Sequence, residues 1–274
     1  MFTEAYMQRA LLAALALAPA CALLGVFVTA RRMAFFSDTI SHAALVGIAL
    51  GVLVGLPEPT LPILLVGVVV AAAMVWLKEH TALLTDTIMA LLLSGCVALG
   101  IVLLYRLRLN PGRLHGYLFG DILAIGPTGV WLAGVLCVAV LAGVFAQLNA
   151  LTLLTVNEEI ARVTGVPVRR LNYLFVLALT VTVALSIQLL GIILVTSLLV
   201  IPPAAARNLS RNLRQHIVLS LGIGLLGGAG GTVLAYWFDL PCGPAIVLTC
   251  LGGFVLSLFA GRWWAKRRSG VALS

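Results

Sequence analysis

Charge is what this sequence has least of. Only 9% of its 274 residues are Asp, Glu, Lys or Arg, against roughly a quarter in an ordinary soluble domain. The apolar residues fall in runs of about twenty, the length that crosses a hydrocarbon core of ~30 Å. A soluble protein of this size cannot hide so many such runs in one core, so the reading is an all-α polytopic membrane protein. Other absences narrow the chemistry. The five cysteines, Cys21, Cys96, Cys137, Cys242 and Cys250, form no CxxC pair and sit mostly inside apolar runs, as small buried hydrophobes do. No GxxxxGK[ST] loop occurs, so any ATP-derived energy must come from another chain. No HExxH is present, and Leu118 breaks the GxGD pattern that would end at Asp121. Protease readings lose their motifs, and the chain is not expected to be an enzyme.

What is present is a series of spans near 10–30, 36–56, 60–77, 86–105, 127–149, 171–188, 190–206, 216–237 and 244–262. The first begins like a leader, with Arg9, a short apolar stretch and small residues before Cys21. Its apolar run continues to Ala30, which makes it a membrane helix rather than a removed segment. Residues 171–206 form one stretch too long for a single crossing, with Gln188 and Gly191 marking a break. Nine spans, or eight plus a re-entrant segment, fit this pattern. The gaps are mostly too short to fold alone, no internal repeat is visible, and residues 1–274 read as one transmembrane domain.

The net charge of +8 does not point to nucleic acid, because the basic residues stand at the ends of apolar runs instead of on one polar face. Under a nine-span arrangement one side receives every Lys and Arg except Arg9, Arg106, Arg108 and Arg113. The positive-inside rule then places the N-terminus outside and the C-terminus in the cytoplasm. Merging spans six and seven would send "RWWAKRR" outside, which the rule disfavours.

One cytoplasmic segment interrupts the apolar pattern. In "TVNEEIARVTGVPVRR" (155–170) Asn157 is a good N-cap and Glu158 and Glu159 favour the positive helix end. Gly165 suits the left-handed C′ position and Pro167 blocks continuation. Such a short helix either links two spans or fits a groove on a cytoplasmic partner.

The stretch "FFSDTISHAALVGIALG" (35–51) places Asp38 and His42 four residues apart, on one face of the second span. An ionisable pair there is costly unless it meets water, a partner or an ion. Carboxylate and imidazole form a partial ligand set for zinc, manganese or iron(II). Ser37 as a cap, Asp38 as a dipole partner and His42 in a helix–helix hydrogen bond are the plainer alternatives. Asp86 opens the fourth span from the same side and either faces this pair or only favours its own helix start. Ser94 and Cys96 follow deeper, at positions that suit ordinary packing. "GYLFGD" (116–121) and "FDLPCGP" (238–244) fall on the outer side, each a simple turn or a landing place for a delivery protein. The glycines of "GLLGGAGG" (224–231) read as close helix packing.

In order along the chain, "RRMAFFSDTISHA", "TDTIMALLLSG", "YLFGD", "NEEIARVTGV", "LGIILVTSLLVIPPAAAR" and "FDLPCGP" make the sequence resemble permease subunits of bacterial ABC-type zinc/manganese/iron importers. The zinc-uptake permeases look most similar. That resemblance implies a homodimer in the bacterial inner membrane, each copy docked to a cytoplasmic ATPase subunit. A periplasmic or lipid-anchored binding protein would deliver the metal. No permanently bound cofactor is implied, only a divalent cargo ion. Asp38 and His42 would line the metal path, which Asp86 joins as a third candidate from its place in the fourth span alone, and Glu159, Ala161 and Gly165 would belong to the ATPase-coupling helix near 157–165. The chain departs at Ser94, where several zinc-type relatives carry a histidine, a difference that bears on which metal is moved. Rival readings are an ABC permease for a metal chelate or vitamin, which would not need the Asp38/His42 pair, and a gradient-driven secondary transporter. The latter would need a carboxylate relay near mid-membrane, and the span interiors are poor in charge.

Overall fold

A run of twenty apolar residues in lipid has one open-ended way to satisfy its backbone, the α-helix, and every described span of this chain uses it. The computed structural model describes residues 5–56, 59–107 and 125–269, with side chains to residue 261. Among these residues there are eleven helices and no strand. They are α1 (Ala5–Ala30), α2 (Phe36–Val54), α3 (Thr60–His80), α4 (Thr85–Arg106), α5 (Pro127–Ala146), α6 (Leu148–Val156), α7 (Glu158–Val163), α8 (Val168–Leu190), α9 (Ile192–Leu209), α10 (Leu213–Phe238) and α11 (Cys242–Ser269). All but α6 and α7 are long and apolar enough to cross a membrane, which gives nine spans among the described residues. This is a multi-pass membrane protein.

The long stretch at 171–206 resolves into two spans. Gly191 breaks it with φ +82°, a backbone conformation that costs most residues dearly and glycine little. α8 and α9 on either side are 23 and 18 residues long. The fifth span ends earlier than its apolar run suggests. At Gln147 the backbone leaves the helical region (φ −112°, ψ 14°) and a separate nine-residue helix, α6, follows. "GYLFGD" (116–121) lies outside the described residues.

The chain divides into two compact units, one made of Met1–Thr29, Ile122–Cys137 and Ser197–Ser274, the other of Ala30–Asp121 and Val138–Thr196. In the first unit α1 is buried along most of its length. Alanines at 14, 18 and 22 meet Gly224 and Gly228 of α10, and Ser220 Oγ donates to the Ala22 carbonyl at 3.0 Å. Pro203 has no N–H to give the Leu199 carbonyl, and that oxygen lies directly against Gly25 of α1. Gly227 and Gly231 admit Cys250 and Ile246 of α11, so the glycine-rich run is packing, as its composition suggested. Asp239, at φ +52°, closes α10 ahead of a three-residue link to α11. His216 Nε2 bonds to the Pro203 carbonyl at 2.9 Å, which makes it a satisfied core histidine.

In the second unit α2 is the common neighbour of α3, α4 and α8. Its Gly47-x-x-x-Gly51 pair faces α3, and a Cβ added at Gly47 would stand 2.6 Å from the Ile63 Cα. Small residues at this spacing let two backbones approach closely. Against α4, Thr39 Oγ1 reaches the Met89 carbonyl at 3.4 Å, and Gly100 packs on Leu45. Between α3 and α8, Gly67 meets Thr180 and Thr60 Oγ1 donates to Gln188 Oε1 at 3.2 Å.

Candidate functional site

Arg32 stands just before α2 in a left-handed conformation at φ +57°. α2 then opens at Phe36 with Phe35 at the cap position and no side-chain cap. Ser37 is therefore inside the first turn and does not cap it. Its Oγ is buried and has no partner among the described residues. Asp38, in the same turn, complements the positive helix end. It also accepts a hydrogen bond from Thr196 Oγ1 of α9, at 3.0 Å to Oδ1. One turn on, His42 is partly exposed, and its Nδ1 is buried without a hydrogen-bond partner.

A buried polar nitrogen without a partner costs about 1–3 kcal/mol. Here it belongs to a side chain on the same helix face as a carboxylate held by one oxygen. The pair offers a cation two ligands of the borderline type that suits divalent transition metals. It does not offer a closed cage. No group of three or more His, Cys, Asp and Glu side chains could hold a metal among the described residues. Asp86 is exposed in the first turn of α4, whereas Ile88 and Met89 are the residues that helix buries there. Ser94 is exposed and Cys96 buried. Sequence reading missed Thr196. Its only signal was a hydroxyl residue in "GIILVTSLLVIPP", and nothing local ties that to a carboxylate 158 positions away.

The second element of interest is α7. The Asn157 side chain accepts from the backbone N–H of Glu159 and of Ile160, at 2.9 and 3.1 Å. At the other end Gly165 N–H bonds to the Arg162 carbonyl and Val166 N–H to the Ala161 carbonyl, with Gly165 at φ +80°. Those paired bonds are a Schellman closure. Ala161 is fully buried and anchors the helix, while Glu159 and Gly165 are exposed. Ile160 and Val163 are exposed apolar residues on α7, Val163 at 89%, and Val156 at the end of α6 is exposed as well. Glu158 receives Arg162 at 2.7 Å and Lys78 at 3.9 Å, which ties α7 to the end of α3.

The pattern of the ABC 3 transport family matches residues 3–261. The chain belongs to that family. Among curated relatives, the high-affinity zinc uptake system membrane protein ZnuB of Haemophilus influenzae is 36% identical over 250 residues, covering 91% of this chain and 95% of the relative. The manganese transport system membrane protein MntC of Halalkalibacterium halodurans is 29% identical, covering 98% and 94%. Among solved structures, PsaBC from Streptococcus pneumoniae in complex with a Fab superposes with a TM-score of 0.79 at 29% identity, over 93% of this chain and 91% of that one. α7 is thus a short helix capped at both ends, with exposed apolar residues, between α6 and the membrane-crossing α8.

Proposed function

We propose that this chain is the permease subunit of an ATP-driven importer of divalent metal ions, with zinc as the first candidate cargo and manganese or iron as the others. The observation that carries the reading is the α2 pair: Asp38 held at one oxygen by Thr196, and His42 with an unpartnered Nδ1 one turn further. Residues 1–274 serve as one permease domain in the bacterial inner membrane, N-terminus outside and C-terminus in the cytoplasm, an orientation supported by the lysine and arginine bias. Two copies pair, each docked to a cytoplasmic ATPase subunit through α7, and a periplasmic or lipid-anchored protein delivers the metal. Glu159 and Gly165 face the ATPase and Ala161 holds the helix in place.

Transport proceeds by alternating access. ATP binding draws the two α7 helices together and rocks the permease halves around a central path. An ion leaving the delivery protein meets Asp38 and His42 in transit, with Asp86 near the exit. Two ligands are an advantage here, because a complete rigid site would retain the ion. Zinc is favoured by the higher identity to the zinc-uptake relative, although His and carboxylate serve all three metals.

The test is metal accumulation across a panel, in cells lacking their own high-affinity uptake and expressing this chain with its ATPase and binding protein. Wild type should gain one metal selectively. Asp38→Ala and His42→Ala should each abolish that gain while the complex still assembles. Uptake retained in both variants would remove these residues from the path. A well-assembled wild type that gains no metal would transfer the reading to a chelate or vitamin permease.

A further inference from the structure

A cavity of about 590 Å³ lies in the second unit, bounded by the end of α3, by α7, by the start of α8 and by the turn before α2. Four basic side chains line it, Arg31, Lys78, Arg162 and Arg169, against two acids, Glu79 and Glu158. Both acids are already engaged. Glu158 holds Arg162 and Lys78, and Arg169 Nε stands 3.4 Å from Glu79.

Arg31 forms no ion pair with a carboxylate among the described residues. Its Nε donates to Thr155 Oγ1 at 3.1 Å and its Nη1 to Asn172 Oδ1 at 3.2 Å. Its guanidinium carbon lies 4.4 Å from the Phe175 ring centroid. These neutral contacts fix the fork without neutralising it, and Nη2 is buried with no acceptor among the described residues. Burial pulls this guanidinium down to about 10, opposed by the more distant Glu158, so it is still a cation at neutral pH. A half-buried cation with one buried N–H group unsatisfied and no ion pair of its own favours an anion beside it.

We propose that this cavity binds a phosphate-bearing anion, with Arg31 as the inner cation and Lys78 and Arg169 at the mouth. The occupant is an anionic lipid headgroup or a free phosphate. The volume suits a headgroup-sized ligand, and a planar guanidinium matches two phosphate oxygens at once. A metal cargo does not fit, because cations outnumber acids on the walls. The lipid source follows from position: the cavity sits at the ends of two membrane-crossing helices, where basic pockets take anionic headgroups. An anion there would bridge α3, the turn before α2 and α8 directly behind α7.

The test is a titration of the purified full-length chain in neutral detergent micelles, with bound molecules counted by native mass spectrometry. One arm adds phosphatidylglycerol, a second phosphatidylcholine, a third inorganic phosphate. Wild type should hold one phosphatidylglycerol more tightly than phosphatidylcholine. Arg31→Gln should weaken that binding about tenfold or more, as loss of a charged hydrogen-bond partner does. The Lys78→Gln/Arg169→Gln double variant, which leaves the Arg31 contacts intact, should weaken it in the same direction and guards against a folding defect in the first. Binding of inorganic phosphate that falls in the same variants, with no preference for phosphatidylglycerol, would assign the site to a soluble ligand of the same chemistry. Equal binding of both anions by wild type and both variants would overturn the proposal.

Discussion

At the scale of single residues, the metal-path reading depends on how Asp38 is held. Thr196 Oγ1 also donates back toward the Ile192 carbonyl of its own helix at 3.1 Å, so its hydroxyl is shared between the α9 backbone and the carboxylate. Thr196→Val keeps the shape and removes the donor. Hydrogen bonds to charged groups contribute about 1.5–3 kcal/mol, so the apparent KM for metal should rise roughly tenfold or more. Assembly should be unchanged, and Thr196→Ser should restore uptake. Wild-type uptake kinetics in Thr196→Val would show that Asp38 needs no such support. Arg31 teaches a related lesson: a basic residue between two spans reads as a topology marker, yet this one is half-buried and hydrogen-bonded to residues 124 and 141 positions away. Neither contact has a local signature.

At the scale of elements, α2 is both the bearer of Asp38 and His42 and the tightest-packed helix of its unit. Its close approach to α3 rests on Gly47, where any side chain meets backbone instead of a movable side chain. Gly47→Val should therefore destabilise by about 1–3 kcal/mol, the usual cost of overpacking, and lower the thermal midpoint of the purified chain. Gly95→Ala, inside α4 with open space around the added methyl, is the control and should leave the midpoint unchanged or raise it slightly. Equal effects would mean that α2 and α3 can part at no cost. For α7, Gly165→Val forces a β-branched residue into a left-handed conformation, at roughly 1–2 kcal/mol. The helix end should fray, and ATP hydrolysis by the assembled complex should lose its link to metal uptake without a change of metal preference. Coupled hydrolysis in that variant would separate α7 from energy transfer. Both ends of α7 were legible in the sequence because caps are local: Asn157, Gly165 and Pro167 each do their work within four residues. α6 was not, because its residues continue the apolar run of α5 and only the backbone at Gln147 parts them.

At the scale of the whole molecule, the number of spans was legible because bilayer thickness and helix rise impose it on composition. Which faces meet was not, since an apolar face toward lipid and one toward another helix carry the same residues. The low burial of α4 against the high burial of α1 has no counterpart in their hydropathy, which is 2.5 for both. Orientation rests on charge bias alone, and it can be read directly. The five native cysteines are all buried, so they give little background to a membrane-impermeant maleimide. Val163, the last residue of α7, and Leu240, in the link between α10 and α11, are both exposed and fall on opposite sides in the nine-span arrangement. Leu240→Cys should label in cells whose outer membrane alone is opened, and Val163→Cys only after lysis. The reverse pattern would put the C-terminus outside and leave α7 facing away from any cytoplasmic ATPase. Labelling of both in intact spheroplasts would mean that an odd number of crossings does not separate them, and the nine-span count would fall with the orientation.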